Sequence, residues 1–365
     1  MSAALIPATY ALAMRREMPA LCACVCVVVL SASVLPAPGS VTRTPLPGVR
    51  SVPVGVGGRP VDTSNPTRVV GRGTAASCTS DAVVAAVRAG GIIRFSCGRR
   101  PVTIRMSATA KVMNTSPRVV LDGGGLVTLS GEGHRRILYM DTCDPAQVWT
   151  TSHCQDQASP ELVVQNLRFA DGNSTGETFD GGGGGAIFDR GGRLRIVNAV
   201  FSANRCEADG ADIGGGAVRA LSQYDNLPVY VVDSRFTDNA CSNGGALSSI
   251  GVSWTVLNSR FTGNRAIGTG ANPAQPGTPG GGSGGAIYND GDAMNLSIGG
   301  SVFANNDAHE GGGAIFYVSD DRTGTMAIAH STLDHNRNAG FQTAGLPGIF
   351  FLGARAPTIT ASVLR

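Results

Sequence analysis

Apolar residues recur at matching positions from one segment to the next between residues 181 and 365. Each segment begins with two glycines and a small-apolar pair, and an aromatic residue or leucine follows 14 to 18 residues later. The first set of apolar positions contains Ile187, Val218, Leu247, Ile287 and Ile315. The second set contains Phe201, Phe236, Phe261, Phe303 and Leu333, and a weaker sixth pair is Ile349 with Leu364.

Between these positions the apolar runs are short, β-prone and bounded by Gly, Asn, Asp and Ser. None reaches the length that a helix requires. A repeat of short strands with connections of unequal length predicts an all-β parallel β-helix, in which each strand pairs with its equivalent in the next coil. Neighbouring coils would lie about 4.7–4.9 Å apart. Each set of apolar positions then forms one inward column.

An asparagine follows three residues after the second apolar position in five of the six segments. Asparagine tolerates left-handed backbone, and asparagines stacked on successive coils can hydrogen-bond to one another along the axis of the solenoid. We therefore predict a structural asparagine ladder. Its members are Asn204, Asn239, Asn264, Asn306 and Asn336.

The chain divides by composition into four parts. Residues 1–37 have the basic start, apolar centre and small-residue end of a secretory signal peptide. Residues 38–72 are rich in Pro and Gly without a period, which predicts a disordered linker or a loosely attached lead-in. Residues 73–180 hold a short capping helix, from Asp81 to about Arg88, and the first coils. Residues 181–365 are the repeat coils.

Two alternatives for the N-terminus remain open. Translation from Met14 or Met18 would give a more usual signal peptide, and Cys22 would suit a lipid anchor, although it leaves a very short apolar core. No segment of the mature chain has the length and hydropathy of a transmembrane helix.

Signal cleavage would leave six cysteines in an exported chain, which favours disulfides. Cys206 and Cys241 each follow the second apolar position by five residues, so coils in register would bring them to bonding distance. Cys78 with Cys97, and Cys143 with Cys154, are paired only by their proximity in sequence. Free buried thiols remain an alternative.

Charge excludes one class of partner. The formal net charge is only +3, aromatic residues make up 5% of the chain, and no basic cluster is interleaved with aromatics, which argues against nucleic acid. Arg235 and Arg260 would lie side by side on adjacent coils and point outward. They are candidates for contact with an acidic glycan, or are simply solvated.

The Gly-Gly-Ala-Ile element paired with Phe-x-x-Asn resembles the repeat of the chlamydial polymorphic outer membrane proteins. This repeat is shared by secreted bacterial proteins of the pectin-lyase-like superfamily. The resemblance covers residues 181–365 and implies a single-stranded right-handed parallel β-helix with a short N-terminal capping helix. It also implies secretion, or association with the cell surface or outer membrane. The stretch from Cys78 to Gly131 is similar to the capping coils of such proteins.

The superfamily includes polysaccharide lyases and hydrolases, so we searched for their chemistry. The candidate carboxylates match no calcium loop, and none of the five histidines lies between glycines. These carboxylates are Asp171, Asp180, Asp189, Glu207, Asp209 and Asp212. His330 and His335, with Asp334 between them, are predicted to be surface residues of one turn.

We therefore predict no catalytic residue, no metal site and no cofactor. The expected function is non-catalytic: adhesion, surface display or contact with a polysaccharide or a host or cell-surface ligand. A structural spacer in a larger envelope assembly is a further possibility. The enzymatic alternative is a pectate-lyase-like polysaccharide lyase with a divergent site, and only this alternative would use Ca²⁺. Two insertions, residues 141–160 and 266–283, are candidates for building a binding site on one face.

Overall fold

Parallel pairing between successive coils organises the part of the chain that this computed structural model describes, residues 49–177 and 181–365. Four parallel sheets run along a solenoid, and each coil contributes one strand to each of three of them, as expected for a parallel β-helix. The predicted signal peptide and residues 38–48 of the predicted linker lie outside the described residues.

The sheets are named here I to IV. The ten strands of sheet I are Arg68–Val70, Gly91–Phe95, Arg118–Asp122, Glu161–Gln165, Arg193–Val197, Val229–Val232, Trp254–Leu257, Asn295–Gly299, Thr325–Ala329 and Thr358–Thr360. The nine strands of sheet II are Val102–Arg105, Val127–Ser130, Arg168–Ala170, Val200–Ser202, Arg235–Thr237, Arg260–Thr262, Val302–Ala304, Thr332–Asp334 and Val363–Leu364.

In the coils with a Gly-Gly pair, the sheet III strand begins two residues after the second glycine. Its eight strands are Ala110–Lys111, Leu138–Asp141, Ile187–Arg190, Val218–Leu221, Leu247–Ile250, Ile287–Gly291, Ile315–Ser319 and Ile349–Leu352. Sheet IV is a short side sheet of four two-residue strands, Ala240–Cys241, Arg265–Ala266, Asp307–Ala308 and Arg337–Asn338.

The two apolar columns lie in register inside the solenoid. Ile187 pairs with Val218, and the same alignment continues coil by coil to Ile349. In the second column Phe201, Phe236, Phe261 and Phe303 stack nearly parallel, with ring centroids 4.6–4.7 Å apart. These side chains are fully buried. The column extends one coil upstream, to Phe169, whose ring lies 4.9 Å from that of Phe201.

The five repeat asparagines form a continuous buried hydrogen-bonded ladder. Nδ2 of Asn204 donates to Oδ1 of Asn239 at 2.9 Å, and the same bond recurs along the column to Asn336. Each backbone N–H of the first four residues donates to the same oxygen on the next coil. The second amide hydrogen donates to the carbonyl of the preceding coil's aromatic residue, for example Phe236 for Asn264. The ladder therefore pairs its buried amide groups almost completely.

The left-handed residue of this turn is not the ladder asparagine, as the sequence suggested, but the residue before it. Ala203, Asp238, Gly263, Asn305 and His335 have φ between 53° and 67°. The asparagine itself has ordinary backbone geometry, and its side-chain amide hydrogen-bonds along the solenoid axis.

A second ladder, made of serines, was missed by the sequence interpretation. Backbone N–H of Ser234 donates to Oγ of Ser259 at 3.1 Å, and Ser259 donates in the same way to Ser301. The series continues to Ser331 and Ser362. A Ser two residues before the aromatic or leucine position in five of the six segments was the available signal. Three sheet II strands, Arg235–Thr237, Arg260–Thr262 and Val302–Ala304, are thus hydrogen-bonded to the next coil at both ends by the two ladders.

The predicted helix covers the first coil and spans Ser80–Ala89. Oγ1 of Thr79 accepts a hydrogen bond from Ala82 N–H at its N-terminus, and Gly90, at φ 68°, ends it. Val83 and Val87 are fully buried against the first strands. Short 3-10 helices lie elsewhere, at Val56–Gly58, Ala75–Ser77, Pro145–Gln147, Cys154–Asp156 and Tyr224–Asn226.

Residues 49–72 are not the disordered linker that their composition predicted. Residues 50–63, which we call the strap, run along the outer face of sheet I, and Arg68–Val70 forms the first strand of that sheet. The side-chain amides of Asn258 and Gln165 each pair with both the N–H and the C=O of one strap residue, Val52 and Val61. Thr63 then donates to buried Asp122 at 2.6 Å. Distant polar side chains therefore order a segment whose own sequence lacks a pattern.

Three cysteine pairs lie at disulfide distance in the described chain. Their Cα–Cα distances are 5.7 Å for Cys78–Cys97, 5.0 Å for Cys143–Cys154 and 4.8 Å for Cys206–Cys241. Cys206 and Cys241 occupy successive coils, beside the pairing of Arg205 with Ala240. The third pair therefore links neighbouring coils covalently.

We expect Asn264→Ala to lower the free energy of unfolding by about 3 kcal/mol. The change leaves two N–H groups of Asn239 without their acceptor, and buried unpaired donors each cost about 1–3 kcal/mol. Urea unfolding monitored by circular dichroism measures the loss. Asn65→Ala, at an exposed asparagine outside the ladder, is the matched control and should change the free energy of unfolding by less than about 0.5 kcal/mol. Equal losses at both positions would contradict a cooperative ladder.

We expect replacement of both Cys206 and Cys241 by alanine to lower the unfolding free energy by about 4 kcal/mol, because their bond closes 35 residues. The same change at Cys143 and Cys154, which close 11 residues, should cost about 3 kcal/mol. Parallel urea titrations of the two double variants test the order. A larger loss from the shorter loop would show that loop closure is not the stabilising factor.

Candidate functional site: a groove on sheet III

The outer face of sheet III lies between two rows of loops. Asp212, Asn272 and Phe341 come from loops that precede sheet III strands, whereas Gln155 and Asp320 come from turns that follow such strands. Together they border a groove of about 940 Å³. Both insertions singled out from the sequence, 141–160 and 266–283, thus contribute residues to one site.

The floor of the groove consists of two outward columns of sheet III. One column, in register, contains Phe188, Arg219, Ser248, Tyr288, Phe316 and Phe350. The other contains Arg190, Leu221, Ile250, Asp290, Val318 and Leu352, all half-buried. Six coils contribute, so at ordinary strand spacing the groove is about 24 Å long.

Its apolar part lies toward the last coils. Phe316 and Phe350 stack with centroids 5.2 Å apart, and Phe341 meets Phe350 edge-on at 4.8 Å. Val318 and Leu352 continue this surface on the neighbouring column. The arrangement offers a long, shallow apolar floor with polar groups at its borders, which is the usual composition of a ligand site.

A polar cluster lies at the middle of the groove. Nδ2 of Asn272, from the second insertion, donates to Oδ2 of Asp290 at 2.7 Å and to Oδ1 of Asp212 at 3.4 Å, and it also contacts the Tyr288 hydroxyl. The Tyr288 hydroxyl donates to Asp290 at 2.8 Å. Asn272 therefore holds two carboxylates from different coils close together and ties the loop to the floor.

The cluster is electrostatically perturbed. Burial raises the pKa of the Asp290 carboxyl, and the neighbouring Asp320 and Asp212 carboxylates raise it further, whereas hydrogen bonds from Tyr288 and Gly291 lower it. Burial likewise raises the pKa of Tyr288. Such groups can donate and accept hydrogen bonds with the hydroxyls of a bound ligand.

Arg219 lies at the other end of the floor and is 2% exposed. Burial lowers the pKa of its guanidinium to about 10. Its Nη1 donates to Oγ of Ser248 at 3.3 Å, and its Nε has no hydrogen-bond partner. Within residues 49–177 and 181–365, no carboxylate lies within ion-pair distance of it.

The residues singled out from the sequence lie elsewhere. Arg235 and Arg260 pair on adjacent strands of sheet II, and are exposed and half-buried, respectively. His335 lies 2.6 Å from Asp334 at the end of sheet II, and the same carboxylate also binds Arg365. None of these side chains borders the groove. The signal for the groove was instead the residue directly after each inward position of sheet III, because strand side chains alternate between faces.

Of the six candidate carboxylates, only Asp212 borders the groove, and Asp180 lies outside the described residues. Glu207 instead accepts a hydrogen bond from Gly176 N–H at 2.6 Å. Within the described ranges, no group of three or more His, Cys, Asp or Glu side chains could hold a metal ion. In the same part of the chain, no helix has the length and hydropathy needed to cross a membrane.

Asp189 points into the solenoid beneath the groove and is fully buried. Its Oδ2 accepts a 2.6 Å hydrogen bond from Gln223, while Oδ1 has no partner. Burial raises the pKa of this carboxyl well above its ordinary value, although the Gln223 bond opposes the shift. Burial therefore favours the protonated form of Asp189.

The family model for the Chlamydia polymorphic membrane protein (Chlamydia_PMP) repeat matches residues 258–290. This segment runs from the turn before Arg260–Thr262, through the ladder residue Asn264, to Asp290 on the groove floor. No curated protein and no solved structure matches the chain. The chain thus carries this repeat within a parallel β-helix.

We expect Asp189→Asn to change the pH dependence of stability. A carboxyl with a raised folded pKa contributes stability below its unfolded pKa of 3.8 and loses it as pH rises. Relative to wild type, the variant should therefore gain about 1.4 kcal/mol per pH unit above that value, until Asp189 ionises in the folded protein. Urea titrations of both proteins between about pH 4 and pH 8 measure the gain. A constant difference across this range would contradict a neutral buried Asp189.

Proposed function

We propose that the protein is displayed at a cell surface, where the groove on sheet III binds an extended glycan without cleaving it. The observation that carries this proposal is the continuous floor, which crosses six coils between two rows of loops. A long ligand can lie parallel to the solenoid axis on such a floor.

The chemistry of the floor supports a sugar ligand. The half-buried faces of Phe341 and Phe350, with Val318 and Leu352, suit the apolar faces of sugar rings. Asn272, Asp212 and Asp290 supply donors and acceptors for hydroxyl groups. The coil spacing of about 4.8 Å is also close to the length of one hexose unit in an extended glycan, so successive sugars would meet successive coils.

The location rests on the repeat. A segment that matches the Chlamydia polymorphic membrane protein repeat supports a place at the cell surface or outer membrane. Three disulfides support an oxidising compartment, because such bonds persist in exported proteins. The ladders supply a rigid scaffold, which lowers the entropic cost of binding a long ligand.

We expect Phe350→Ala to weaken glycan binding by about tenfold, because truncation of an aromatic contact in a binding site costs on the order of 1–2 kcal/mol. Isothermal titration calorimetry with neutral β-1,4-linked glucose hexamers, and with the best oligosaccharide from a glycan array, measures the loss. Trp149→Ala is the matched control, since this aromatic is 40% exposed and does not line the groove.

Equal effects of the two substitutions, or no binding to any glycan, would contradict the proposal. The same samples also test the lyase alternative. Incubation with galacturonate polymers, with and without Ca²⁺, should release no unsaturated uronate products detectable by ultraviolet absorbance. If unsaturated product forms, the groove cleaves its ligand and the proposal of binding without cleavage is wrong.

A further inference from the structure

Arg219 is a buried cation with no carboxylate at ion-pair distance among the described residues. Its side chain leaves the floor between Phe188 and Ser248 of the neighbouring coils. The glycine ribbon before Ile187 covers it: a Cβ at Gly181 would lie 3.7 Å from Nη2, and one at Gly183 would crowd Cδ. All four residues from Gly181 to Gly184 have φ between 63° and 85°, so the cover depends on glycine.

A second buried arginine contacts the same glycine ribbon. Arg136, 3% exposed, donates to the carbonyls of Gly183 and Gly184 on the same glycine ribbon. Its described ion-pair partner is Glu177, at 3.8 Å, whose side chain is 51% exposed. Burial lowers the pKa of the Arg219 guanidinium and Arg136 lowers it further, whereas Tyr288 and Asp212 raise it. This end of the groove therefore favours an anion.

A structural role for Arg219 alone is a poor explanation. Its hydrogen bond to Ser248 is long, its Nε is unpaired, and the cost of burying a charge is repaid only by a close partner. Groups that break the rules of burial are expected at functional sites, where a ligand completes them.

The rest of the groove has the opposite charge. Asp290 lies two coils beyond Arg219, about 10 Å away at ordinary strand spacing, and Asp212 and Asp320 border the same region. A glycan with an acidic group on every sugar would bring like charges together there. Neutral sugars avoid this repulsion and hydrogen-bond to the carboxylates.

We propose that Arg219 binds the carboxylate of a single acidic sugar, and that the neutral sugars that follow it extend over Tyr288, Asp290 and the aromatic end of the groove. This inference rests on the proposed function and names its ligand class: a glycan with one acidic sugar next to neutral ones, not a uniform uronate polymer. The carboxylate replaces the missing counter-ion and can accept two parallel hydrogen bonds from the guanidinium.

The test compares oligosaccharides that differ only in charge. Calorimetry would measure the affinity of the wild-type protein for a sialylated tetrasaccharide, for the same oligosaccharide without sialic acid, and for a galacturonate tetramer. A neutral glucose oligomer capped by one glucuronate distinguishes a hexuronic acid from a sialic acid as the source of the carboxylate. We expect at least one singly acidic ligand to bind about tenfold more tightly than its neutral counterpart and than the galacturonate tetramer. Added salt should reduce this preference.

Arg219→Met removes the charge while keeping the buried volume. We expect it to abolish the preference for the acidic ligand and to preserve the affinity for the neutral one, without a lower melting temperature. Arg94→Met, at an exposed position of sheet I in the first coils, is the matched control and should retain the preference. Arg219→Lys keeps the charge but loses the planar guanidinium, so it should retain only part of the preference for the acidic ligand. This variant also tests the proposal if Arg219→Met does not fold.

The outcomes separate the two proposals. Binding of neutral and acidic ligands with equal affinity, or an unchanged preference in Arg219→Met, overturns the role of Arg219 and leaves glycan binding in place. Tightest binding of the galacturonate tetramer overturns the single-acid ligand. Failure of every oligosaccharide to bind overturns the proposed function, and this inference with it.

Discussion

One constraint governs this protein: each strand must pair in parallel with its equivalent in the next coil, without a shift of register. The sheet hydrogen bonds, the stacked rings from Phe169 to Phe303, and the Asn and Ser ladders all repeat at the same spacing. A shift in any one of them would move the others, because side chains on a strand alternate between inside and outside. Extra residues can therefore be accommodated only between strands.

This constraint also explains where the groove lies. The spacing between ladder asparagines varies from 25 residues, between Asn239 and Asn264, to 42 residues, between Asn264 and Asn306. The additional residues project from the corners beside sheet III and form loops along its edges. The outer face of sheet I is covered by the strap, which is bound through Asn258, Gln165 and Asp122. Sheet III is thus the face with walls and an accessible floor.

The fold could be predicted because its determinants are local and repeated. An inward residue such as Ile287 lies in the same column as its equivalent Ile315, so the spacing of apolar residues along the sequence predicts which residues contact each other in the structure. The Cys206–Cys241 pairing follows from the same register. The strap could not be predicted in this way, since it is ordered by side chains that lie 104 and 206 residues away in sequence. The amino-acid composition of a segment indicates only whether its own residues can form a buried core.

The site was difficult to predict for a different reason. The repeat imposes no residue type at outward positions, and these are the positions of Arg219, Tyr288 and Asp290. Their proximity also depends on the lengths of loops whose conformation cannot be derived from the sequence. Arg235 and Arg260 were correctly read as neighbours on adjacent coils, but neighbours recur everywhere on a solenoid. What distinguishes Arg219 is burial with an unpaired Nε and no ion-pair partner among the described residues, which only the packed structure reveals. Beside two ladders that pair their own buried polar groups, a guanidinium left incompletely paired next to a groove is better explained by a ligand than by packing.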